Sequence, residues 1–198
     1  MLPSRSVRPE CAVLAGPNGA GKSSLFASLA FPGRFINADD IARELNPLDP
    51  ESASLQAGRL VVKSIDEVLV RNEDFTYETT LSSHQSLNLL KRAREAGYRT
   101  LLIFVALNSA DMHVARVAQR VKVGGHHIPE PIIRRRYDLA FDNLAKAVPF
   151  CEVVSIYDNS SPAGYRNLLT VEGDKYLGTT SSQRIPSTAA SPPVLPPV

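Results

Sequence analysis

The chain has 198 residues and a formal net charge of +2, with 43% hydrophobic and 21% charged residues. These values are ordinary for one globular domain and exclude a fibrous or wholly disordered protein. So small a net charge gives no indication of a general nucleic-acid or membrane-surface partner. Two cysteines at the heads of apolar runs, and no apolar run of signal-peptide or membrane-spanning length, lead us to expect a cytoplasmic protein.

Apolar runs alternate along the chain with longer segments of helical periodicity, which predicts an α/β fold built on a doubly wound parallel sheet flanked by helices. Strands are predicted at residues 11–15, 34–38, 74–80, 101–107 and 151–157, the fourth of them in the middle of the sheet, with a small hairpin at 168–177. Helices are predicted at about 22–30, from 41, from a cap at Asp49 and Pro50, from 82 or 83 to Gly97, at 110–123 and at 130–147. We predict a single domain over residues 1–177 and a disordered Ser-, Thr- and Pro-rich tail over 178–198.

A phosphate-binding loop follows the first predicted strand. The segment GPNGAGKS fits G-x-x-x-x-G-K-[ST] and stands between a buried strand and a helix, which disfavours the alternative of a chance Gly-rich turn. Glycines allow successive N–H groups to surround a phosphate, and the helix adds its positive end. Lys22 would act on the β- and γ-phosphates of ATP or GTP, and the Ser23 hydroxyl would bind Mg²⁺. The predicted nucleotide-binding residues are Gly16, Pro17, Asn18, Gly19, Ala20, Gly21, Lys22, Ser23 and Ser24.

Carboxylates follow at the ends of the next two strands, where loops of a parallel sheet meet the ligand. A kinase acting on a hydroxyl needs a carboxylate to accept its proton, and we predict Asp39 as that base. Asp40 is either a substrate contact or the N-cap of the next helix. Glu78 is either a substrate contact or a carboxylate at the solvent-exposed end of its strand. The predicted substrate-binding residues are Asp40, Glu78, Thr79 and Thr80.

A basic lid is predicted over about residues 112–137, where two helices bracket a Gly-Gly break. Such a segment would exclude water and bring arginines to the transferring phosphoryl group. Its basic residues are Arg116, Arg120, Lys122, Arg134, Arg135 and Arg136, opposed within the segment only by Glu130. Neighbouring helical residues point about 100° apart, so only some can face inward. We select Arg120 and Arg134 as catalytic, although a solvated face or an ion pair is the alternative for each. His126 and His127 lack a third ligand at a spacing that would favour zinc.

Four segments in this order resemble the zeta-toxin family of P-loop kinases: GPNGAGKSS, FINADDIARELNP, YETTLSS and RVAQRVKVGGHHIPEPIIRRRY. The first is shared with many NTPases, whereas D-D-I-A, E-T-T-L and G-G-H-x-I-P are more selective. The resemblance implies a nucleotide-kinase-like P-loop fold, ATP and Mg²⁺ as cofactors, phosphorylation of UDP-N-acetylglucosamine at its 3′-hydroxyl, and a cognate antitoxin protein. It also implies that Lys22 and Ser23 serve the phosphates and Mg²⁺, Asp39 is the base, Glu78 holds the sugar nucleotide, and Arg120 and Arg134 clamp the γ-phosphate.

Two other functions remain open from the sequence. A GTPase-type switch should carry an N-K-x-D signature, but the segment from Asn108 to Asp111 lacks the lysine. A nucleic-acid end kinase would use the lid arginines along a phosphate backbone, which the near-neutral total charge disfavours. We therefore expect a small-molecule substrate, with no membrane partner.

Overall fold

The computed structural model describes residues 8–173 and 175–177, so the predicted tail at 178–198 lies outside the described residues. The strands are β1 (Glu10–Ala15), β2 (Arg34–Asn37), β3 (Phe75–Thr79), β4 (Arg99–Ala106), β5 (Val153–Asp158), β6 (Arg166–Glu172) and β7 (Lys175–Tyr176). The helices are α1 (Lys22–Ser28), α2 (Ala38–Leu45), α3 (Ser54–Arg71), α4 (His84–Glu95), α5 (Ala110–Lys122) and α6 (Glu130–Ala147), with a 3₁₀ turn at Val148–Phe150.

The strands form one seven-stranded sheet in the order β2-β3-β1-β4-β5-β6-β7. The first five strands of the chain pair in parallel, which confirms the predicted α/β class, and β4 lies in the middle of the sheet as predicted. The predicted hairpin exists as β6 and β7, and β6 pairs antiparallel with β5. The sheet is therefore mixed at this edge.

Both faces of β1 are covered, because its side chains alternate between two apolar clusters. Val13 packs with residues of α3 and α4 such as Ile65 and Leu90 on one face. Leu14 packs with Leu25 of α1 on the other face. All five residues from Cys11 to Ala15 are fully buried, so the strand that leads into the phosphate loop is held rigidly from both sides. Among the helices that the described residues form, none combines the length and apolarity needed to cross a bilayer.

Two predicted helix starts are wrong. The strand predicted to reach residue 38 ends at Asn37, which caps α2 by accepting a hydrogen bond from the Asp39 N–H at 2.8 Å. Asp40 is therefore not an N-cap but lies in the first turn of α2. The helix predicted from Asp49 begins only at Ser54. The Asp49 side chain instead accepts from the Ser52 N–H at 3.4 Å, within a turn that precedes the helix.

The lid segment, defined as residues 112–137, contains a small apolar cluster of its own. Helix α5 ends at Lys122, and the chain turns through Gly124, whose φ is 90°. Ile128 follows in the connecting loop and is only 9% exposed because it packs against Val117 of α5 and Ile133 of α6. The predicted break between two helices is present, and its loop is packed against both of them.

Candidate active site

The phosphate loop and the first turn of α1 hold all nine predicted nucleotide-binding residues, from Gly16 to Ser24. Gly16 has a φ of 145°, and a Cβ there would overlap the carbonyl oxygen of Val105 in β4. Gly21, the residue before α1, has a φ of 98°. These two positions need glycine, because L side chains rarely adopt such φ values and a Cβ would collide with main chain at Gly16 and with the side chains of Asn159 and Tyr165 at Gly21.

Lys22 lies under the loop, and its side chain is 8% exposed. Its Nζ donates to the Gly16 carbonyl at 2.8 Å and lies 3.7 Å from a Glu78 carboxylate oxygen. Burial lowers the pKa of Lys22 and raises that of Glu78, while the opposite charges oppose both shifts. Glu78 also accepts a hydrogen bond from the Asn37 side-chain amide at 3.3 Å. The structure thus joins the loop lysine to the acid of β3.

The two aspartates of α2 point to different surroundings. Burial lowers the pKa of Arg136. The next largest influence on this pKa is the negative charge of Asp39, which raises it. Asp39 also opposes the lowering of the Lys22 pKa, so its charge is close to the phosphate loop. Asp40 makes a 2.7 Å ion pair with Arg43, one turn further along the helix. The negative charges of both aspartates raise the pKa of Glu78, but only that of Asp39 also acts on Lys22 and Arg136.

Thr79 and Thr80 both make hydrogen bonds within the turn that joins β3 to α4. The Thr79 hydroxyl lies 2.9 Å from that of Ser86 and accepts from the Leu81 N–H at 3.1 Å. The Thr80 hydroxyl lies 2.8 Å from that of Ser82. These partners shape the turn. Leu81 is fully buried there with a φ of 58°, a conformation that costs energy for a branched side chain.

Asn143 of α6 fixes this strained turn from the other side. Its side-chain amide donates to the Leu81 carbonyl at 2.9 Å, and Asn143 itself is 4% exposed. A strained residue persists when its surroundings determine its conformation, and here a helix next to the phosphate loop supplies that constraint. The end of β3, which carries Glu78, is thereby tied to α6.

The lid arginines divide into those near the loop and those away from it. Arg136 donates to the side-chain oxygen of Asn18 at 3.0 Å. Burial is the main cause of the lowered pKa of Lys22, and the positive charge of Arg120 lowers it further, so Arg120 lies near the loop as well. Arg134 is held by Glu130 at 2.7 Å and Asp111 at 2.6 Å, and its side chain is 44% exposed. The structure brings together Lys22, Glu78, Asp39, Arg120 and Arg136. It holds Arg134 in an exposed ion-pair cluster and pairs Asp40 with Arg43, although the Asp40 charge still acts on Glu78.

The sequence does contain the signal that separates Arg136 from Arg134. The buried residues of α6 include Ile133 and Ala140, and Arg136 lies three residues after the first and four before the second. It therefore lies on the inward stripe of the helix. Arg134 follows Glu130 by four residues, the spacing of a surface ion pair.

Several loop contacts come from residues that the sequence reasoning did not select. The Asn159 side chain donates to the Ala20 carbonyl at 2.8 Å, and the Tyr165 hydroxyl donates to the Gly21 carbonyl at 2.6 Å. Arg116 of α5 donates to the Asn159 carbonyl at 2.6 Å. The signal for them is position, since the polar segment after β5 lies at the same carboxyl edge of the sheet as the loop. A cavity of about 370 Å³ opens beside this segment, lined by Asn108, Asp158, Ser160, Ser161, Ala163, Gly164 and Arg166.

The first strand of a mostly parallel sheet runs into a phosphate loop, and acids at the ends of β2 and β3 and a basic helical segment lie beside this loop. This arrangement defines a P-loop protein of the kinase type. The chain matches the Zeta toxin family over residues 2–169 and belongs to that family. The resemblance inferred from the four sequence segments is therefore confirmed.

Comparison with individual proteins gives the same fold. An uncharacterised protein of Haemophilus influenzae is 34% identical over 123 residues, which cover 62% of this chain and 88% of that protein. The AvrRxo1-ORF1:-ORF2 complex with ATP superposes with a TM-score of 0.69 at 13% identity, covering 90% of this chain and 62% of that one. The PezAT toxin–antitoxin system of Streptococcus pneumoniae gives a TM-score of 0.57 at 16% identity, covering 77% and 68% of the two chains. The chain thus spans less than two thirds of the AvrRxo1 chain, and likeness at these identities establishes the fold alone.

Proposed function

We propose that this chain is an ATP-dependent kinase that phosphorylates a hydroxyl group of a small molecule, with the 3′-hydroxyl of UDP-N-acetylglucosamine as the first acceptor to test. The observation that carries the proposal is the meeting of Lys22, Glu78, Asp39, Arg120 and Arg136 around one phosphate loop. Membership of the Zeta toxin family supports it. In this proposal residues 1–177 act as one kinase domain, with the lid segment over the nucleotide.

The phosphate loop and Lys22 form the donor side. Loop N–H groups bind the β-phosphate, and Lys22 exchanges its hydrogen bond to Gly16 for contacts with the β- and γ-phosphates. The base of the nucleotide lies toward the cavity beside Asn159, since that segment holds the far side of the loop.

Magnesium fits the donor side through the Ser23 hydroxyl, which is exposed directly after the buried Lys22. Within residues 8–173 and 175–177, no group of three or more His, Cys, Asp or Glu side chains is placed to hold a metal ion. Mg²⁺ typically keeps several waters and binds nucleotide phosphates with only one or two protein oxygens, so a single hydroxyl suits it. When bound, the ion neutralises charge on the β- and γ-phosphate oxygens.

The acceptor hydroxyl lies between Asp39 and the γ-phosphate in this proposal. As the acceptor oxygen forms its bond to phosphorus, the bond to ADP breaks and the hydroxyl proton passes to Asp39. Arg120 and Arg136 stabilise the charge on the transferring oxygens. We assign this role to Arg136 rather than Arg134, because Arg136 contacts the loop while Glu130 and Asp111 hold Arg134. Glu78 is the proposed contact to a second acceptor hydroxyl.

Mass spectrometry tests the proposal directly. The purified protein is incubated with ATP, Mg²⁺ and UDP-N-acetylglucosamine, and a mass gain of one phosphate on the sugar nucleotide is the expected result. Asp39→Asn should lower the rate by about 10²- to 10⁴-fold while leaving ATP binding intact. Asp40→Asn is the matched control, because Asp40 pairs with Arg43 and its charge acts on Glu78 but not on Lys22 or Arg136, so this variant should lower the rate far less than Asp39→Asn. Equal losses in both variants would remove Asp39 as the base, and ATP hydrolysis with no phosphorylated acceptor would favour a nucleotide switch.

A cognate antitoxin is the proposed protein partner, since the family match and the PezAT likeness both point to toxin–antitoxin systems. Expression of the wild-type chain in a bacterial host should arrest growth, and Asp39→Asn should relieve the arrest. Growth arrest by both chains at equal expression would show that the effect does not come from phosphoryl transfer.

A further inference from the structure

His113 of α5 lies against the phosphate loop but is not one of the groups that the proposed reaction uses. Its side chain is fully buried. Nδ1 lies 2.7 Å from the main-chain oxygen of Asn18, and Nε2 accepts a hydrogen bond from the Leu107 N–H at 3.1 Å. The imidazole thus joins the middle of the loop to the end of β4.

The two partners determine the tautomer of this ring. Because Nε2 accepts from an N–H group, the ring proton is on Nδ1, and the Asn18 carbonyl can only accept it. Both bonds therefore require a neutral imidazole. The charged groups that face it are Lys22 from α1 and Arg116 from its own helix, and Tyr137 of α6 stacks edge-on with ring centroids 5.3 Å apart. Burial and these two cations lower the pKa of His113 to about 4.

The bond to Asn18 has a geometric consequence for the next residue. In a trans peptide the carbonyl of one residue and the N–H of the following residue point in opposite directions. A carbonyl directed at His113 therefore turns the Gly19 N–H away from α5. A Cβ on Gly19 would lie 3.0 Å from the main-chain oxygen of the same histidine, so the loop also packs directly on this turn of the helix.

We propose that His113 is a positioning residue, which fixes the peptide between Asn18 and Gly19 so that its N–H group faces the bound phosphate. The inference rests on the proposed nucleotide-binding function of the loop. It gives α5 a part in the donor site, beside the contact that Arg136 of α6 makes with the Asn18 side chain.

Two substitutions separate the two hydrogen bonds. In His113→Asn the side-chain amide nitrogen takes the place of Nδ1, so the bond to Asn18 is kept and the bond to Leu107 is lost. In His113→Gln the side-chain oxygen takes the place of Nε2, so the bond to Leu107 is kept and the bond to Asn18 is lost. Each variant loses one neutral hydrogen bond, and thermal unfolding should report similar losses of stability for both.

ATP binding by isothermal titration calorimetry then tests the proposal. The Asn variant should bind ATP within about 2-fold of the wild type, and the Gln variant about 5- to 10-fold more weakly, the effect of one lost hydrogen bond. Equal ATP affinities in the two variants would overturn the positioning role. A wild-type chain that binds no ATP would overturn the proposed function itself. If the Gln variant does not fold, His113→Phe, which keeps the ring and loses both bonds, replaces it in the comparison with the Asn variant.

Discussion

Acidification should destabilise this protein through His113 in a way that can be measured against the other titrating groups. The pKa of a free histidine is 6.5, and burial lowers that of His113 to about 4. Below pH 6.5 the unfolded chain binds a proton that the folded chain excludes until about pH 4, so the stability contributed at neutral pH is lost as the pH falls through this window. This difference between the pKa of His113 in the unfolded and folded states corresponds to about 3 kcal/mol of unfolding free energy.

Urea denaturation between pH 7 and pH 4.5 measures the effect, with His113→Asn as the control. All other ionisable groups are the same in both chains, so their contributions cancel in the difference between the two. The stability advantage of the wild type over the variant should shrink steadily below pH 6.5, by about 1.4 kcal/mol for each pH unit once the window is entered. Parallel loss of stability in both chains would show that folding does not lower the pKa of His113, and would refute this reasoning.

Three further predictions follow from contacts in the structure, two of them with a control substitution. Gly16→Ala forces a methyl group against a main-chain carbonyl and should cost at least about 3 kcal/mol in thermal or urea unfolding. Gly97→Ala, at a φ of 86° but in open space, should cost only about 1 kcal/mol, and similar costs would refute the steric argument. Arg136→Lys should slow phosphoryl transfer about 10-fold or more while Arg134→Lys changes it less than about 2-fold, and the reverse order in a kinase assay would restore the sequence-based choice. Asn143→Ala should lower stability by about 1–3 kcal/mol by calorimetry, because the buried turn after β3 loses its hydrogen-bond donor, and an unchanged midpoint would contradict this.

The sequence was informative where one physical requirement determines several adjacent residues. Strand β1 is covered on both faces, so it is apolar from Cys11 to Ala15, and the loop after it needs glycine where φ is positive. These requirements made the strand, the loop and the following helix predictable together. The apolar run of β4 was predictable for the same reason, because a central strand of a parallel sheet has no solvent-facing side.

The remaining features depend on which side chain reaches a partner far away in the chain. The spacing of buried residues in α6 does favour Arg136, but the ion pair between Arg134 and Asp111 joins two helices and has no local signal. The capping role of Asn37 was missed because Asp39 and Asp40 have side chains that cap equally well. His113 has no local signal, since both of its hydrogen-bond partners are main-chain atoms of other elements.

The apolar cluster of Val117, Ile128 and Ile133 determines how the lid segment can move. Pulling the connecting loop away from its two helices would expose these side chains, at a cost of about 2 kcal/mol for each one that becomes fully hydrated. Rotation of the loop and the adjoining helix ends as one rigid unit exposes none of them. We expect departure of a product from the loop to depend on contacts such as the one between Arg136 and Asn18, a single hydrogen bond from a charged group worth about 1.5–3 kcal/mol. If the loop and helix ends move as one rigid unit, substitutions at Asn18 should change the rate of product release. Substitutions that loosen the apolar cluster should leave that rate unchanged.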